Sequence, residues 1–391
     1  MKKELLFVMD SLGIGGGEKS LVTLLSLIDY DRYDVDLQLF AYGGAFQQFL
    51  HPKVNILPEL PYNRFLRNNL IASFCSFDLK KLAARIAYTY TIHTKQLNHA
   101  EKAMTYWQKC SRCYSETEKH YDVAIAYSQG LPTFYVVDKV KADKKIGWLN
   151  VDLPFSDILK EYYREHYLAL NYIVAVSKDT NDYISKVFPN YIGKIKTIYD
   201  INDYSFIHSL SKDKSEFESK SRPIIITLAR LNHQKGFDIS LNACKLLSER
   251  NVDFEWHVFG NGPEEEKMRC FISDNNLNNI FFIHKPEPNP YKHLKTAALY
   301  VQTSRNEGFG LSIAEARMLN IPVITTEFSA VWSQMVQGKN GVVVPIDATA
   351  VADAIEDLIQ HPEKREAISA YQRTEKKGNT EEIEKFYKLL E

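Results

Sequence analysis

The feature that most constrains the fold is a repeated alternation of short apolar runs with longer amphipathic helical patterns. Leu5–Met9, Val35–Phe40 and Val123–Tyr127 have the pattern of buried strands, and Glu18–Ile28 has the pattern of a helix between two of them. Strands that alternate with helices are joined by right-handed crossovers, so this pattern predicts a mostly parallel, doubly wound α/β sheet. The alternation pauses and restarts at Ile224–Leu228, which predicts a second sheet of the same class.

These patterns define the predicted domains. Residues 1–203 form a first Rossmann-like domain, which contains a helical insertion at about 64–120. Residues 204–222 are rich in serine and in charges of both signs, which is typical of a solvated linker. Residues 223–370 form a second Rossmann-like domain. Residues 371–391 end in a helix with one apolar face, which must pack on another surface.

Composition excludes several classes of protein. The chain has 391 residues, 45% of them hydrophobic, and a formal net charge of −1. This balance excludes overall disorder and provides apolar material for two cores. The five cysteines are an odd and sparse set, which favours a reducing compartment. The apolar run Leu5–Met9 is shorter than the roughly 7–15 residues of a secretory signal, and no run approaches the roughly 18 residues of a membrane span. We therefore expect a cytoplasmic protein, at most peripheral on the inner face of a membrane.

The insertion at 64–120 is basic and aromatic. It holds ten Lys and Arg residues against four Asp and Glu residues. One interpretation is a solvated basic helix pair over a local core. The other is a surface that binds an anionic membrane leaflet or an anionic acceptor. Nucleic acid is not an expected partner, because no groove-reading motif accompanies the charge.

A glycine-rich loop follows the first strand. Gly15, Gly16 and Gly17 let backbone amides approach a phosphate or a sugar at the start of a helix. Both the dinucleotide motif G-x-G-x-x-G and the P-loop motif fail here, because Glu18 stands where each requires glycine. We interpret the segment as a ligand-facing loop, and a plain strand–helix turn is the alternative. The dipeptide Lys19-Ser20 keeps an ATP-using P-loop enzyme as a further alternative.

Two loops in the second half also follow strands. Arg230 and Lys235 lie just after Ile224–Leu228, where open α/β sheets bind their ligands. A forked cation and a point cation together suit a diphosphate. Gly260, Asn261 and Gly262 allow a tight turn after the next strand, and alone this segment indicates no more than a turn.

The most specific segment is Ser304–Glu315. Glu307 and Glu315 are eight residues apart, the first in a glycine-rich loop and the second on the helix that follows. The amides of Gly310 and Leu311 lie between them at the helix N-terminus, together with Gly308 and Phe309. A loop carboxylate can bind sugar hydroxyls, the amides can bind phosphate, and the helix carboxylate can accept from both ribose hydroxyls. The segment therefore predicts a nucleotide-sugar site.

The order of Arg230 and Lys235, the Gly260–Gly262 turn and the Glu307/Glu315 pair resembles the retaining GT-B glycosyltransferases of family 4 (glycosyl transferases group 1). The resemblance covers essentially the whole chain. It implies a GT-B architecture, with two Rossmann-like domains facing a central cleft and the C-terminal helix crossing back to the first domain. It also implies a nucleotide-diphosphate sugar as donor, most often a UDP-sugar, a glycan or lipid-linked acceptor, and a role in cell-surface polysaccharide synthesis.

The resemblance also implies residue roles. Arg230, Lys235 and Glu307 would be catalytic, the two cations on the donor diphosphate and Glu307 on the donor sugar. Glu315 would bind the ribose. The remaining donor-binding residues would come from the three glycine-containing loops: Gly15, Gly16, Gly17, Gly260, Asn261, Gly262, Gly308, Phe309, Gly310 and Leu311. Neither a metal nor another cofactor is expected.

One departure from the family pattern concerns the acceptor side. Relatives often carry a histidine in a Trp-x-His-x-Asp stretch, and here Trp148 and Asp152 flank Asn150 instead. Asn150 and Asp152 are therefore the candidate acceptor-side residues, without a histidine-assisted step. The substitution leaves open a non-catalytic subunit that binds a sugar nucleotide or a partner.

Overall fold

A computed structural model of the chain describes residues 2–67, 78–150, 155–218 and 221–391. It divides into two compact units, Met1–Ile201 with Glu381–Glu391 and Asn202–Thr380. Each unit contains one sheet in which every neighbouring pair of strands is parallel. The predicted class of two doubly wound α/β sheets is confirmed.

The first unit contains a seven-stranded sheet. Its strands are β1 (Lys3–Met9), β2 (Tyr33–Leu39), β3 (Val54–Ile56), β4 (His120–Ala126), β5 (Lys141–Leu149), β6 (Tyr172–Ala175) and β7 (Ile195–Thr197). Their order across the sheet is β3-β2-β1-β4-β5-β6-β7, so the direction of winding reverses between β1 and β4. The sequence analysis missed β7, which is only three residues long and contains a lysine.

Helices cover both faces of this sheet. They are α1 (Gly16–Leu27), α2 (Pro61–Arg67), α3 (Leu79–Thr94), α4 (His99–Cys110), α5 (Leu131–Lys139), α6 (Asp157–Ala169) and α7 (Lys178–Val187). Alternate residues of β1 enter different cores, with Leu6 and Val8 on one face and Leu5 and Phe7 on the other. The predicted insertion at 64–120 is mostly helical where it is described. It buries Leu82, Met104 and Trp107, among others, in the core that contains Leu6.

The second unit contains a six-stranded sheet. Its strands are β8 (Ile224–Leu228), β9 (Glu255–Phe259), β10 (Phe281–His284), β11 (Leu299–Gln302), β12 (Val323–Thr326) and β13 (Gly341–Val344). Its helices are α8 (Tyr204–Ser211), α9 (Phe237–Glu249), α10 (Glu265–Asp274), α11 (Tyr291–Leu294), α12 (Leu311–Met318), α13 (Ala348–Gln360) and α14 (Pro362–Thr374). The strand order is β10-β9-β8-β11-β12-β13, so the winding reverses between β8 and β11.

The structure corrects the predicted linker at 204–222. This segment contains helix α8, and it buries Ile207 and Phe217 in the second unit. The ring of Phe217 lies 4.3 Å from that of His257 and 4.9 Å from that of His293. Two of its serines, Ser211 and Ser215, are buried as well, so the serine-rich composition does not indicate a solvated linker here.

The end of the chain is also divided differently from the predicted segment 371–391. Helix α14 ends at Thr374 within the second unit, and only Glu381–Glu391 belongs to the first. There, helix α15 (Glu382–Leu390) buries Phe386, whose ring lies 5.9 Å from that of Phe7 and 6.2 Å from that of Trp148. Within the described residues, no helix is both long and apolar enough to cross a bilayer.

Candidate functional site

The site residues predicted in the second half lie at one edge of the second sheet. The loops that carry them follow β8, β9 and β11, and the carboxyl ends of parallel strands meet at the same edge. Strands β8 and β11 are neighbours and flank the point where the winding reverses. Open α/β sheets bind ligands in the crevice outside that point.

Lys235 and Glu307 form an ion pair at this edge. The Lys235 ammonium donates to both carboxylate oxygens of Glu307, at 2.6 Å to Oε1 and 2.7 Å to Oε2. The Glu307 side chain is 9% exposed and that of Lys235 is 20% exposed. Glu307 is therefore a buried, paired carboxylate rather than the open loop acid that the sequence suggests. An ammonium has three N–H donors, so Lys235 can still donate to a ligand while it holds Glu307.

Two buried residues that the sequence analysis missed also contact Glu307. Gln302 Nε2 and Ser304 Oγ each donate to Glu307 Oε1 at 2.6 Å. Both residues precede Glu307 on the strand side of its loop and are almost completely buried. The available sequence signal was Gln302 itself, an amide at the end of an otherwise largely apolar strand.

The loops after β8 and β11 are joined to each other. Arg305 donates to both carboxylate oxygens of Asp238, at 2.8 and 2.6 Å, and its backbone amide donates to Gln234 O at 2.8 Å. Gly236 has a φ of +66°, and a Cβ there would overlap the carbonyl oxygen of Thr303. The close approach of the two loops therefore requires glycine, and it brings Lys235 to Glu307.

The turn Gly260–Asn261–Gly262 supports the loop that carries Arg230. Asn261 O accepts from Leu231 N at 2.8 Å. A Cβ at Gly260 or at Gly262 would overlap backbone carbonyl oxygens of that loop. Arg230 itself is exposed, and its guanidinium has no hydrogen-bond partner among the described residues.

The predicted phosphate-binding amides lie at the start of α12. Gly310 has a φ of +83° and precedes Leu311, the first residue of the helix. The Gln334 amide donates to the carbonyl oxygens of Phe309 and Gly310, which fixes the path of the loop that begins at Gly308. The first amides of a helix have no acceptor within it and carry a partial positive charge, so they can bind an anion. Glu315, one turn further along α12, is 5% exposed.

The glycine loop of the first unit is arranged differently from a P-loop. Gly15 precedes α1, and the Glu18 carboxylate folds back over Gly15, where it would overlap a Cβ. Lys19 is buried, and Ser20 Oγ lies 2.9 Å from the hydroxyl of Tyr127. Neither residue is placed to bind a nucleotide phosphate, so the P-loop interpretation is wrong at this segment.

Lys19 instead interacts electrostatically with a buried carboxylate, that of Asp200. Burial lowers the pKa of Lys19 to about 7, and the nearby Asp200 partly offsets this effect. Burial raises the pKa of Asp200 to about 6, while Ser20 and Lys19 act in the opposite direction. Asp200 directly precedes Ile201, the last residue of the first segment of unit 1. The pair joins the start of α1 to the end of that segment.

Asn150 lies against the glycine loop. A Cβ on Gly17 would be 3.0 Å from Asn150 Nδ2, which donates to Tyr127 O at 2.9 Å. Asn150 Oδ1 is buried and has no hydrogen-bond partner within the described residues. The structure therefore brings together two of the residues predicted for the first unit, Gly17 and Asn150. Asp152 lies outside the described residues.

Comparison with known proteins gives consistent results for sequence and fold. Residues 210–375 match the family Glycosyl transferases group 1. A 2-deoxystreptamine N-acetyl-D-glucosaminyltransferase from Niallia circulans is 28% identical over 170 residues, which are 42% of this chain and 43% of that protein. The chain aligns with about half the length of the curated relatives it matches.

Two solved structures align with nearly the whole chain. Anabaena HepE in complex with UDP and glucose is 17% identical and has a TM-score of 0.69, with 99% of this chain and 98% of that chain covered. A mutant of S. aureus TarM, in complex with ligands that include α-GlcNAc-glycerol and UDP, is 15% identical with a TM-score of 0.68, and 99% of each chain is covered. At these identities the likeness shows the fold, which is that of the GT-B class. The chain is therefore similar to the glycosyl transferases group 1 family over residues 210–375, and its fold is that of GT-B glycosyltransferases.

Proposed function

We propose that the protein is a retaining glycosyltransferase that transfers a sugar from a nucleotide-diphosphate sugar to a glycan or lipid-linked acceptor. The donor is a UDP-sugar, the product belongs to a cell-surface polysaccharide, and neither a metal nor another cofactor takes part. The observation that carries the proposal is the Lys235–Glu307 pair at the winding reversal of the second sheet, beside the N-terminus of α12.

The charges at this edge suit a departing diphosphate. Negative charge develops on the leaving phosphate when the sugar–phosphate bond breaks, and fixed positive groups lower the energy of that transition state. Lys235 has a donor left for a phosphate oxygen, Arg230 is exposed, and the amides of Gly310 and Leu311 start a helix. These groups would replace the divalent metal that other transferases use.

Retention follows if the acceptor attacks the face of the sugar from which the diphosphate leaves. An oxygen of the leaving phosphate then takes the acceptor proton, and no side chain acts as the base. Glu307 accepts hydrogen bonds from the donor sugar, and Glu315 accepts from the ribose hydroxyls. The choice of UDP is supported by its presence in the HepE and TarM complexes.

A calorimetric binding panel tests this function. UDP, GDP, ADP and their sugars are titrated with and without EDTA, and ATP with Mg²⁺ is titrated in parallel. We expect EDTA-insensitive binding of UDP and a UDP-sugar that is weakened in Glu315→Ala. Binding of ATP alone, and only with Mg²⁺, would contradict the proposal.

The partner surface is proposed to be the outer face of α3, which would bind an anionic membrane. Leu79 is 75% exposed, Ile86 49% and Tyr90 70%, and their spacing places them on one side of the helix. Lys80 and Lys95 are exposed at its two ends. Exposed apolar and aromatic side chains flanked by lysines are typical of helices that lie in a membrane interface.

Vesicle sedimentation tests the surface. We expect binding to phosphatidylcholine vesicles only when they also contain anionic phosphatidylglycerol, and weaker binding after the double substitution Leu79→Glu and Tyr90→Glu. Leu168→Glu is the matched control, because Leu168 is 65% exposed on another helix of the same unit. Equal binding of both variants would show that α3 is not the docking face.

A further inference from the structure

We propose that Tyr300, Gln302 and Ser304 act as positioning residues for Glu307, and that they set which of its carboxylate oxygens accepts a hydrogen bond from the donor sugar. This inference rests on the proposed function. It concerns residues that contact Glu307 directly or through one another, and none of them needs to touch a ligand.

The three residues follow one another at alternate positions at the end of β11. Tyr300 and Gln302 lie on one face of that strand, because alternate side chains of a strand point the same way, and Ser304 lies two residues beyond its last residue. Tyr300 and Ser304 are 0% exposed and Gln302 is 2% exposed. Buried polar groups lower stability unless they are hydrogen-bonded, so each of these three side chains needs a hydrogen-bond partner.

The hydrogen bonds run in one direction along this row. The Tyr300 hydroxyl donates to Gln302 Oε1 at 2.7 Å. The amide nitrogen of Gln302 then donates to Ser304 Oγ at 3.2 Å and to Glu307 Oε1 at 2.6 Å. Because Tyr300 occupies the carbonyl end of the Gln302 amide, the NH₂ end must face the carboxylate.

The two oxygens of Glu307 are thereby made unequal. Oε1 accepts from Lys235, Gln302 and Ser304, each at 2.6 Å. Oε2 accepts from Lys235 alone among the described residues, at 2.7 Å. A carboxylate oxygen has about two lone-pair sites, so Oε1 has no acceptor site left and Oε2 has one. A sugar hydroxyl would therefore bind at Oε2.

We expect this arrangement to affect binding of the donor sugar but not binding of the nucleotide diphosphate. Lys235 alone would leave the carboxylate free to rotate about its last bond, which exchanges the two oxygens. The hydrogen bonds from Gln302 and Ser304 prevent that rotation of the Glu307 carboxylate. Their loss should weaken binding of the sugar and leave binding of the nucleotide diphosphate unchanged, because the diphosphate is assigned to Arg230, Lys235 and the α12 amides.

The experiment compares UDP with UDP-glucose and UDP-N-acetylglucosamine by calorimetry, on the full chain. For Gln302→Leu we expect the affinity for the bound UDP-sugar to fall about tenfold, the scale of one hydrogen bond to a charged group, with UDP unchanged. Ser304→Ala removes one smaller donor and should give the same selective loss, even if Gln302→Leu folds poorly. Tyr300→Phe removes only the hydroxyl that orients Gln302, and should give a smaller loss of the same kind.

Thr325→Val is the matched control. Thr325 is the register partner of Gln302 on β12, it is buried, and its hydroxyl has no hydrogen-bond partner among the described residues. The control should bind both ligands as the unaltered protein does.

The selective loss of UDP-sugar affinity, with UDP affinity kept, is the readout that loss of packing alone would not give. If UDP and UDP-sugar affinities fall together, or neither falls in Gln302→Leu and Ser304→Ala, the positioning role is wrong. If the unaltered protein binds neither UDP-sugar, the proposed donor is wrong and this inference is overturned with it.

Discussion

Lys235 binds Glu307, and the proposed function also assigns it to the donor diphosphate. If it stabilises the leaving group, Lys235→Ala and Arg230→Ala should each slow sugar transfer by about 10²–10³, the scale of losing one fixed transition-state donor. The measurement is the rate of UDP release from a UDP-sugar.

Lys295→Ala is the control for loss of a lysine. Lys295 is exposed at the amino end of β11, on the opposite edge of the sheet from the site. It should keep the unaltered rate. A rate for Lys235→Ala equal to that of Lys295→Ala would remove Lys235 from the site.

The buried pair of Lys19 and Asp200 predicts a change of stability rather than of activity. Removing one partner leaves the other charge buried and unpaired, so Lys19→Met should lower the free energy of unfolding by about 3–5 kcal/mol. The double variant Lys19→Met with Asp200→Asn should regain most of this loss. Urea unfolding of the three proteins measures both values.

The same pair predicts a pH dependence. The pKa of Asp200 is raised to about 6, so between its unfolded value of 3.8 and 6 the folded protein holds the extra proton, and stability falls as the pH rises. The pKa of Lys19 is lowered to about 7, so between 7 and 10.5 the unfolded chain holds the extra proton, and stability rises with pH. The stability of the unaltered protein relative to the double variant should therefore be lowest between pH 6 and 7. A pH-independent difference would show that neither group titrates as the burial implies.

At the scale of elements, glycine controls the approach of the loops after β8 and β11. Gly236 and Gly338 both have left-handed φ, +66° and +70°, but only Gly236 has a backbone atom where its Cβ would be. Gly338→Ala should therefore lower the free energy of unfolding by only about 1–2 kcal/mol, which is the cost of a left-handed backbone for alanine. Gly236→Ala should lose more stability and also weaken UDP-sugar binding, because Lys235 directly precedes it. Thermal unfolding measures the stability of the two variants, and calorimetry measures their UDP-sugar binding. Equal effects of the two substitutions would contradict the role of Gly236.

The sequence predicts the elements well where the apolar pattern is long. Strands such as β1 and β8 are mostly apolar because helices cover both faces of each sheet, and their alternation with helices is visible in the sequence. β7 has only three residues, and the packing of Phe217 depends on histidines of distant elements, so neither could be inferred from local pattern.

The candidate site was predictable in part. The positions of Lys235, Glu307 and Glu315 at one sheet edge follow from their places after strands. The direct pairing of Lys235 with Glu307 and the contacts of Gln302 depend on how two loops pack, which spacing does not specify. The Lys19-Ser20 dipeptide shows the opposite case, since its near match to a phosphate motif does not reveal that Lys19 is buried.

At the scale of the whole molecule, different proposed binding functions are assigned to the two units. The second unit carries the proposed donor groups, and residues 210–375 within it carry the family match. The first unit carries Gly17, Asn150 and the exposed face of α3, to which the acceptor and the membrane are assigned by proposal. Donor binding by the second unit can therefore be tested before an acceptor is known.

The most direct test of the central claim is the anomeric form of the sugar released from a UDP-sugar in the presence of EDTA. Proton NMR follows the slow transfer to water by the unaltered protein and by Lys235→Ala, starting from an α-linked donor. We predict that the α-anomer appears first, without any metal, and that Lys235→Ala releases it about 10²–10³-fold more slowly. Initial release of the β-anomer, or release that stops on addition of EDTA, would contradict it.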